Sequence, residues 1–297
     1  MHNIDGVVHK KNFSLKKYNT FKVNAKAKDF YIPENINSFI NILKDLTENN
    51  KDYFLLGGGS NILFLDKIIE KPIIYTGFFT RIENTEKTMR AYSGANVIDV
   101  VKNAYKRSFT GLEFLYGLPG TIGGATYMNA RCYGYSISEF IDSIGIIDDN
   151  FEYRTIKVDE CNYAYKQSIF MQKKYIIIDV LFKLEKGNKK LIKANMNKHL
   201  KDRKQKHQFK YPSAGSTFLN DYSTNMIAGK VIDELNLRGL RIGGAMVSPY
   251  HANFIVNYKN ATGEDIYKLI QKVKEEVYNK KQINIYPEVR IISNDNK

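Results

Sequence analysis

The sequence predicts an α+β fold, and three patterns along the chain indicate it. Residues 35–50 carry apolar side chains at the spacing of an amphipathic helix. Residues 143–184 alternate strand-like apolar runs with polar turns, a pattern typical of an antiparallel sheet. Two glycine-dense segments, 57–61 and 111–135, interrupt these elements with structured loops. We therefore expect an N-terminal half built around glycine loops and a smaller C-terminal α/β unit.

The predicted elements of the N-terminal half surround the first glycine loop. Residues 53–56 and 62–65 are short apolar runs on either side of it, so we expect a strand, a turn and a second strand. Further along, Asn96 precedes apolar residues at helical spacing and should cap a helix.

The C-terminal part should contain two helices and a final strand. Residues 189–210 are very basic and follow a helical pattern. Thr262 and Asp265 have the spacing of a capping box before a second helix. The apolar run at 283–292 is predicted to be the last strand.

Composition narrows the classes of protein to which the chain can belong. Of its 297 residues, 43% are hydrophobic, which suffices for a buried core. The chain has no apolar run of about 18 residues, so we expect no membrane span. Its first residues are polar, so we expect no signal peptide and a cytoplasmic location.

The cysteines and histidines favour neither a disulfide framework nor a metal site. Cys132 and Cys161 are far apart and lack metal-type spacing, which indicates free thiols in a reducing compartment. The histidines are His2, His9, His199, His207 and His251. Their spacing is not that of metal ligands, so we expect no bound metal.

The net charge of +14 raises the alternative of a basic RNA-binding protein. The excess positive charge is dispersed, however, with only short clusters such as 201–210. A small anionic ligand would be attracted by such a field equally well. We therefore expect no nucleic-acid partner and no obligate protein partner.

The two glycine loops indicate a ligand that carries phosphate. Residues 57–61 read GGGSN, in which glycines free backbone N–H groups to face an anion, while Ser60 and Asn61 add short polar side chains. Residues 117–125 read GLPGTIGGA, a loop that Pro119 stiffens and whose glycines allow close approach to a flat or charged group. The GGGSN loop alone is also compatible with a plain tight turn. Together they suggest a diphosphate and a ring, as in a flavin dinucleotide.

Two further motifs contain candidate acid–base groups. Ser216 lies in the sequence PSAGSTF without an adjacent histidine, so it is not expected to be a hydrolase nucleophile, but its hydroxyl could deliver a proton. A helix cap or turn is the alternative explanation for this serine. Glu288 lies in the apolar run YPEVR, where a carboxylate needs either a function or an ion-pair partner such as Arg290.

Taken in order, these segments resemble the UDP-N-acetylenolpyruvoylglucosamine reductase family over nearly the whole chain. The matching segments are YNTF from Tyr18, LGGGSN from Leu56, GLEFLYGLPGTIGGATYMNA from Gly111, PSAGSTF from Pro212, AGKVIDELNLRGLRIGGAMVSPYHANFIVN from Ala228 and PEVRII from Pro287. The length resembles the subtype that lacks an extra tyrosine loop over the substrate. The C-terminal motifs argue against another flavoprotein of the same superfamily, which is the remaining enzyme alternative.

The resemblance implies a vanillyl-alcohol-oxidase-type (PCMH-type) FAD-binding domain followed by a C-terminal α/β substrate domain. The FAD-binding subdomains would span 1–75 and 76–188 and the substrate domain 189–297, with the last strand, 283–292, returning to the active site. FAD would be bound, and NADPH would be the co-substrate. The implied cofactor-binding residues are Asn19, Thr20, Gly57, Gly58, Gly59, Ser60, Asn61, Gly117, Pro119, Gly120, Thr121, Gly123, Gly124, Asn129, Ala130 and Arg290.

The implied reaction reduces the enolpyruvyl group of UDP-N-acetylglucosamine enolpyruvate to give UDP-N-acetylmuramate, a peptidoglycan precursor. Hydride would pass from NADPH through FAD to C3 of the enolpyruvyl group, and an acid would then protonate C2. By resemblance Ser216 is that acid, while Glu288 and the cation at Lys166 stabilise the negative charge of the intermediate. The implied substrate-binding residues are Tyr165, Ser168, Arg203 and Asn220.

Three places depart from the family pattern. Lys166 stands where the family has arginine in Tyr-Arg-x-Ser, so the charge is kept but the planar fork that grips a carboxylate is lost. The family's MNAGAYG reads MNARCYG, which places Arg131 and Cys132 beside the cofactor loop. His207 and Gln208 stand where relatives have Gln-Pro.

Overall fold

The computed structural model describes residues 4–295, which fold as two compact units. Unit 1 comprises Met1–Lys10, Phe30–Gly58 and Pro72–Asp202, and unit 2 comprises Lys11–Asp29, Gly59–Lys71 and Arg203–Lys297. His2 lies outside the described residues, as do the outer ends of the predicted domains 1–75 and 189–297. The division into three domains stays a prediction.

Helices and strands are interspersed along the described chain. The α-helices are α1 (Ile36–Glu48), α2 (Val97–Lys106), α3 (Ile122–Tyr127), α4 (Lys189–Gln205), α5 (Ala228–Glu234) and α6 (Gly263–Lys281). The strands are β1 (Val7–Ser14), β2 (Lys26–Pro33), β3 (Phe54–Leu56), β4 (Ile62–Phe64), β5 (Ile68–Ile69), β6 (Ile73–Tyr75), β7 (Ile82–Asn84), β8 (Thr88–Tyr92), β9 (Phe109–Thr110), β10 (Arg131–Cys132), β11 (Tyr135–Ser136), β12 (Ile141–Ile147), β13 (Tyr153–Lys157), β14 (Ile176–Lys183), β15 (Glu185–Lys186), β16 (Arg241–Ile242), β17 (Ala245–Val247), β18 (Ile255–Asn257) and β19 (Arg290–Ile292).

Unit 1 contains a sheet with the strand order β1-β2-β6-β3, in which β6 is parallel to both β2 and β3. β3 and β4 flank residues 57–61, so the predicted strand, glycine turn and strand are confirmed. The helix that precedes β3 is also confirmed. The Asn35 side chain caps α1 by accepting a hydrogen bond from the Ser38 N–H. The apolar face of α1 is buried against residues of this sheet.

The second sheet of unit 1 has the order β13-β12-β14-β8-β7, and every neighbouring pair is antiparallel. The antiparallel sheet predicted for 143–184 is thereby confirmed, and it extends to β7 and β8. Helix α2 packs against the same core, and the Asn96 side chain accepts from the Ile98 N–H at 2.9 Å, which confirms the predicted cap. This core supports the second glycine loop, because that loop leads directly into α3.

Unit 2 is organised around α6 and the antiparallel strands β16, β17 and β18. The predicted capping box is confirmed, since Thr262 and Asp265 exchange hydrogen bonds at the start of α6. The buried face of this helix holds the core of the unit together; its residues are Ile266, Leu269, Ile270, Val273 and Val277. In addition, β2 begins in this unit, where Lys26 and Ala27 pair in parallel with β5.

Two predicted boundaries were wrong. The basic helix α4 ends at Gln205 rather than at 210, and His207 beyond it adopts a left-handed backbone with φ +51°, which no α-helix can continue. The last strand covers only Arg290–Ile292, which pair in parallel with β4, rather than 283–292. Pro287 has no N–H to donate, and the Glu288 N–H bonds to a different segment, so a ladder cannot continue through them.

Candidate active site

The two glycine loops pack directly against each other in unit 1. A Cβ atom on Gly58 would lie 2.7 Å from Cα of Gly120, and one on Gly57 would lie 2.7 Å from Oγ1 of Thr121. Real Cβ atoms do not approach other heavy atoms so closely, so glycine is required at both positions. The glycines that were predicted to allow close approach of a ligand therefore also allow close approach of the neighbouring loop.

The packed loops present backbone N–H groups that donate to no backbone acceptor in the described part of the chain. Within residues 4–295, the N–H groups of Gly57, Gly58, Gly120 and Thr121 donate no hydrogen bond to another backbone atom. Gly120 has φ +114°, a backbone conformation that side-chain-bearing residues rarely adopt. Clusters of unsatisfied N–H groups in such loops bind anions. These residues therefore fit the diphosphate of a flavin dinucleotide.

Ser93 is a neighbour of this loop that the sequence analysis missed. Its carbonyl accepts the Gly123 N–H at 2.8 Å, and a Cβ on Gly123 would lie 2.7 Å from the Ser93 Cβ. Ser93 and Thr126 are both buried, and their hydroxyls have no hydrogen-bond partner in the described chain. The sequence feature that could have indicated Ser93 is the pair Ser93-Gly94, which lies between a strand and a helix cap. A single glycine is a weaker indication of a ligand-binding loop than three consecutive glycines.

The remaining predicted residues of the second loop differ in exposure. Gly117 is buried with φ +89°, whereas Pro119 and Gly124 are exposed. Ala130 is buried, and its N–H donates to the Ala125 carbonyl at 2.8 Å, which fixes the chain just after α3. Contact of these residues with the cofactor stays a prediction.

In unit 2, the third glycine of GGGSN adjoins the predicted residues near Tyr18. Gly59 has φ +59°, and a Cβ there would overlap the Tyr18 carbonyl. The Thr20 N–H donates to the Gly59 carbonyl at 3.0 Å. Asn19 is buried, and its side chain accepts from the Val23 N–H at 3.0 Å and donates to the Val23 carbonyl at 3.2 Å. The Asn19 side chain thus shapes the loop that carries Thr20, and its cofactor contact stays a prediction.

Asn129 ties the end of the second glycine loop to a tight turn. Its Nδ2 donates to the Ala164 carbonyl at 2.9 Å. Ala164 and Gln167 exchange two backbone hydrogen bonds of 3.2 Å, so Tyr165 and Lys166 form the corners of the turn. Lys166 has φ +55° and is half-buried. The structure therefore brings the predicted cation and the predicted Tyr165 together beside the Asn129 loop.

Buried neighbours hold this turn on both sides. Ser168 is buried, and its hydroxyl donates to the Tyr127 carbonyl of α3 at 2.7 Å. The hydroxyl of Tyr163 is buried without a hydrogen-bond partner in the described chain, and burial raises the pKa of Tyr163, with a smaller contribution from Cys161. Tyr163 is therefore neutral at physiological pH and packs as an apolar support, with its ring centroid 6.4 Å from that of Phe170.

The two predicted acid–base residues lie on paired segments of unit 2. The Glu288 N–H donates to the Thr217 carbonyl at 2.7 Å, and Phe218 and Pro287 form an antiparallel bridge. Ser216 and Glu288 are both half-buried. Within residues 4–295 the Ser216 hydroxyl makes no hydrogen bond, so it neither caps a helix nor closes a turn.

The first glycine loop reaches the same segments. The Asn61 side chain donates to the Glu288 carbonyl at 3.2 Å, and the Arg290 N–H donates to the Asn61 carbonyl at 3.0 Å. These bonds join the end of GGGSN to the PEVR motif in unit 2. The structure therefore brings together Ser216, Glu288, Asn61 and Arg290, which the sequence separates widely.

Arg203 and Asn220 also lie in unit 2, and the structure gives both protein contacts. Arg203 is buried, and its guanidinium donates to Oε1 of Gln208 at 3.3 Å. The Asn220 side-chain oxygen accepts from the Ala228 N–H at 3.1 Å, at the start of α5. Their contact with substrate stays a prediction.

Family models match two parts of the chain. Residues 28–156 match the model of the FAD binding domain, and residues 206–292 match that of the UDP-N-acetylenolpyruvoylglucosamine reductase, C-terminal domain. The UDP-N-acetylenolpyruvoylglucosamine reductase of Borrelia garinii subsp. bavariensis is 44% identical over 285 residues, which cover 96% of this chain and 93% of that relative. The chain belongs to the UDP-N-acetylenolpyruvoylglucosamine reductase family. The reductase of Borreliella burgdorferi is also 44% identical, over 94% of this chain and 93% of its own length.

A solved structure supports the same assignment. The UDP-N-acetylenolpyruvylglucosamine reductase of Thermus caldophilus superposes with a TM-score of 0.81 at 30% identity, covering 97% of this chain and 99% of that one. The predicted α+β fold with an FAD-binding domain is confirmed, and this reductase family member is a flavoprotein oxidoreductase. The family assignment favours the reductase over the other flavoprotein and RNA-binding alternatives.

Residues 4–295 contain no group of three histidine, cysteine or acidic side chains positioned to hold a metal ion. Each helix in the same range is either too short or too polar to cross a membrane.

Proposed function

We propose that this chain catalyses the NADPH-dependent, FAD-mediated reduction of UDP-N-acetylglucosamine enolpyruvate to UDP-N-acetylmuramate. Membership of the reductase family and the names of its relatives support this substrate and product. The structural observation that carries the proposal is the 2.7 Å hydrogen bond from the Glu288 N–H to the Thr217 carbonyl, which sets the PEVR motif beside Ser216. A serine hydroxyl and a carboxyl group carried on paired segments are the kinds of acid–base group that protonation of a carbon next to a carboxylate requires.

The glycine loops are the proposed FAD-binding residues. The unsatisfied N–H groups of Gly57, Gly58, Gly120 and Thr121 would face the diphosphate, and Asn19, Thr20, Asn129 and Arg290 complete the proposed set. Bound FAD supplies the hydride-transfer chemistry that no amino-acid side chain provides.

The protein's own residues handle charge and protons. Ser216 delivers the proton to C2 of the enolpyruvyl group, and Glu288 supports the charge that develops next to it. Lys166, presented on its turn, neutralises the substrate carboxylate through a charge-assisted hydrogen bond. Tyr165, Ser168, Arg203 and Asn220 are the proposed substrate-binding residues.

The wider assignments follow from this activity. The reaction would take place in the cytoplasm as a step of peptidoglycan synthesis, and so serve cell-wall biogenesis, cell shape and cell division. The proposed domains are 1–75 and 76–188 for FAD and 189–297 for the substrate. The proposed partners are small molecules, with no nucleic acid, membrane or obligate protein partner.

One assay tests the proposal. Purified protein should show flavin absorbance and should oxidise NADPH only when UDP-N-acetylglucosamine enolpyruvate is present, and mass spectrometry should identify UDP-N-acetylmuramate. UDP-N-acetylglucosamine, which lacks the enolpyruvyl group, is the matched control and should cause no oxidation. A colourless protein, or NADPH oxidation at equal rates with and without the enolpyruvyl substrate, would contradict the proposal.

A further inference from the structure

Arg131 places a guanidinium group beside the turn that carries Lys166. Its central carbon lies 5.8 Å from the ring centroid of Tyr165, the residue that immediately precedes Lys166. The side chain of Arg131 is exposed, while Tyr165 and Lys166 are half-buried. The Arg131 guanidinium therefore lies against the tight turn to which the second cationic residue, Lys166, belongs.

The backbone fixes both loops, so this proximity is a feature of the fold. Arg131 pairs with Ser136 in the small β10–β11 hairpin, which holds its backbone extended. Two residues earlier, the Asn129 side chain donates to the Ala164 carbonyl at 2.9 Å. The hairpin and the turn are therefore joined by a partly buried hydrogen bond, whose two residues lie two positions along the chain from Arg131 and from Lys166.

We infer that Arg131 is a substrate-binding residue that holds the carboxylate of the enolpyruvyl group together with Lys166. This inference rests on the proposed function. An ammonium group such as that of Lys166 makes single contacts with a carboxylate, whereas the planar guanidinium fork can bind both of its oxygens. The cation–π contact with the Tyr165 ring restricts the orientation of the Arg131 guanidinium, which lowers the entropy lost when it binds. Arg131 thus supplies the bidentate grip that a lysine at position 166 cannot.

Arg154 provides a matched control. It lies in the same unit, is exposed, and has its guanidinium carbon 5.0 Å from the ring centroid of Tyr175. Arg154→Ala removes the same charge and the same type of ring contact as Arg131→Ala, but on β13 rather than beside Lys166. It also removes an ion pair with Asp148 and a hydrogen bond to the Tyr175 hydroxyl, so its effect on folding is the larger of the two. Melting temperatures of both variants would show whether either change disturbs the fold.

The test compares substrate binding with the separate half-reactions of the flavin-loaded protein. Arg131→Ala should weaken calorimetric binding of UDP-N-acetylglucosamine enolpyruvate by about 10-fold to 100-fold, the usual loss for one charge-assisted hydrogen bond. It should leave binding of UDP-N-acetylglucosamine, which has no carboxylate, and reduction of the flavin by NADPH unchanged. Arg131→Lys should retain part of the affinity, and adding Lys166→Arg to Arg131→Ala should recover part of what is lost.

The outcomes separate this inference from the proposed function. A wild-type protein that fails to reduce the enolpyruvyl substrate would overturn both. A wild-type protein that turns over, with Arg131→Ala indistinguishable from Arg154→Ala, would overturn the role of Arg131 alone. Equal weakening of both nucleotide sugars by Arg131→Ala would also overturn it, because the contact would then be with the diphosphate or the sugar.

Discussion

The backbone N–H of Glu288 donates to the carbonyl of Thr217 at a distance of 2.7 Å. This bond joins the PEVR segment, which carries Glu288, to the PSAGSTF segment, which carries Ser216. The elements α5, β16, β17, β18 and α6 come between the two segments, so their pairing could not be read from the local sequence pattern. The pairing motivates a separate test of the serine.

Ser216→Ala should slow reoxidation of the reduced flavin by the enolpyruvyl substrate about 10²-fold to 10⁴-fold, the usual effect of removing a general acid. Reduction of the flavin by NADPH should stay near the wild-type rate, because that step needs no proton from Ser216. Stopped-flow absorbance of the flavin measures both steps. Ser213→Ala, in the same loop, is the control and should leave both rates unchanged. Equal slowing of the two steps by Ser216→Ala would rule out the proton-donor role.

Gly58→Val should abolish flavin retention during purification. Its Cβ would lie 2.7 Å from Cα of Gly120, so the two loops would have to separate and their N–H groups would diverge. Flavin content per protein, measured from the absorbance ratio, checks this. Gly239→Asn is the control, because Gly239 has φ +80° and open space around its Cα, and asparagine tolerates that conformation. A fully flavin-loaded Gly58→Val protein would show that the loops do not hold the cofactor.

Lys166→Ala should cost about 3–4 kcal/mol of transition-state stabilisation in reduction of the enolpyruvyl substrate, as for removal of one oxyanion-type donor. Lys166→Arg should keep most of the rate, since it keeps the charge on the same turn. Steady-state kcat/KM measures the effect, with Lys173→Ala as the control for loss of a nearby exposed lysine. Wild-type kcat/KM in Lys166→Ala would show that another cation takes the role.

The two free cysteines should differ in reactivity. Burial, assisted by Glu160 and Asp159, raises the pKa of Cys161 to about 12, so at pH 8 only about one molecule in 10⁴ carries the reactive thiolate. A chromogenic disulfide reagent added to native Cys132→Ala should therefore react negligibly until the protein is unfolded. Native Cys161→Ala, which retains the half-buried Cys132, should react faster. Prompt reaction of native Cys132→Ala would contradict the burial of Cys161.

Asp265 should contribute to stability in a pH-dependent way. Partial burial alone would raise its pKa, but hydrogen bonds from the N–H groups of Thr262 and Gly244 outweigh that effect and lower the pKa below its usual value. Its contribution is therefore fully present above the unfolded-state pKa of about 3.9 and is lost as the pH falls through the folded-state pKa.

Asp265→Ala should consequently lower the free energy of unfolding by about 1–2 kcal/mol at neutral pH, the usual cost of a lost helix cap. Urea denaturation at several pH values checks this, and the difference from wild type should shrink in acid. Glu264→Ala is the control, because its exposed ion pair with Lys268 is worth only about 0.3–0.5 kcal/mol. A difference that stays constant down to acidic pH would assign the loss to packing rather than to the charge.

The sequence by itself determined the local elements and the family. Helix caps at Asn96 and Thr262 were predictable because a cap depends on residues within one turn of each other. The order of the glycine and PSAGS motifs was enough to indicate a flavin-dependent reductase, because each motif is a contiguous stretch of sequence. The departures at Lys166 and Arg131 were equally visible as single residues.

The tertiary structure alone decided which of these residues meet. Gly58 faces Gly120, Arg131 reaches the ring of Tyr165, and Glu288 is hydrogen-bonded to the segment of Ser216 through pairing between distant parts of the chain. The same pairing explains why the last strand is shorter than predicted. The Glu288 N–H donates to the Thr217 carbonyl, so it cannot also take part in the hydrogen-bond ladder between β19 and β4. Local periodicity carries no information about such register, since it reports only which face of an element is buried and not which partner covers it.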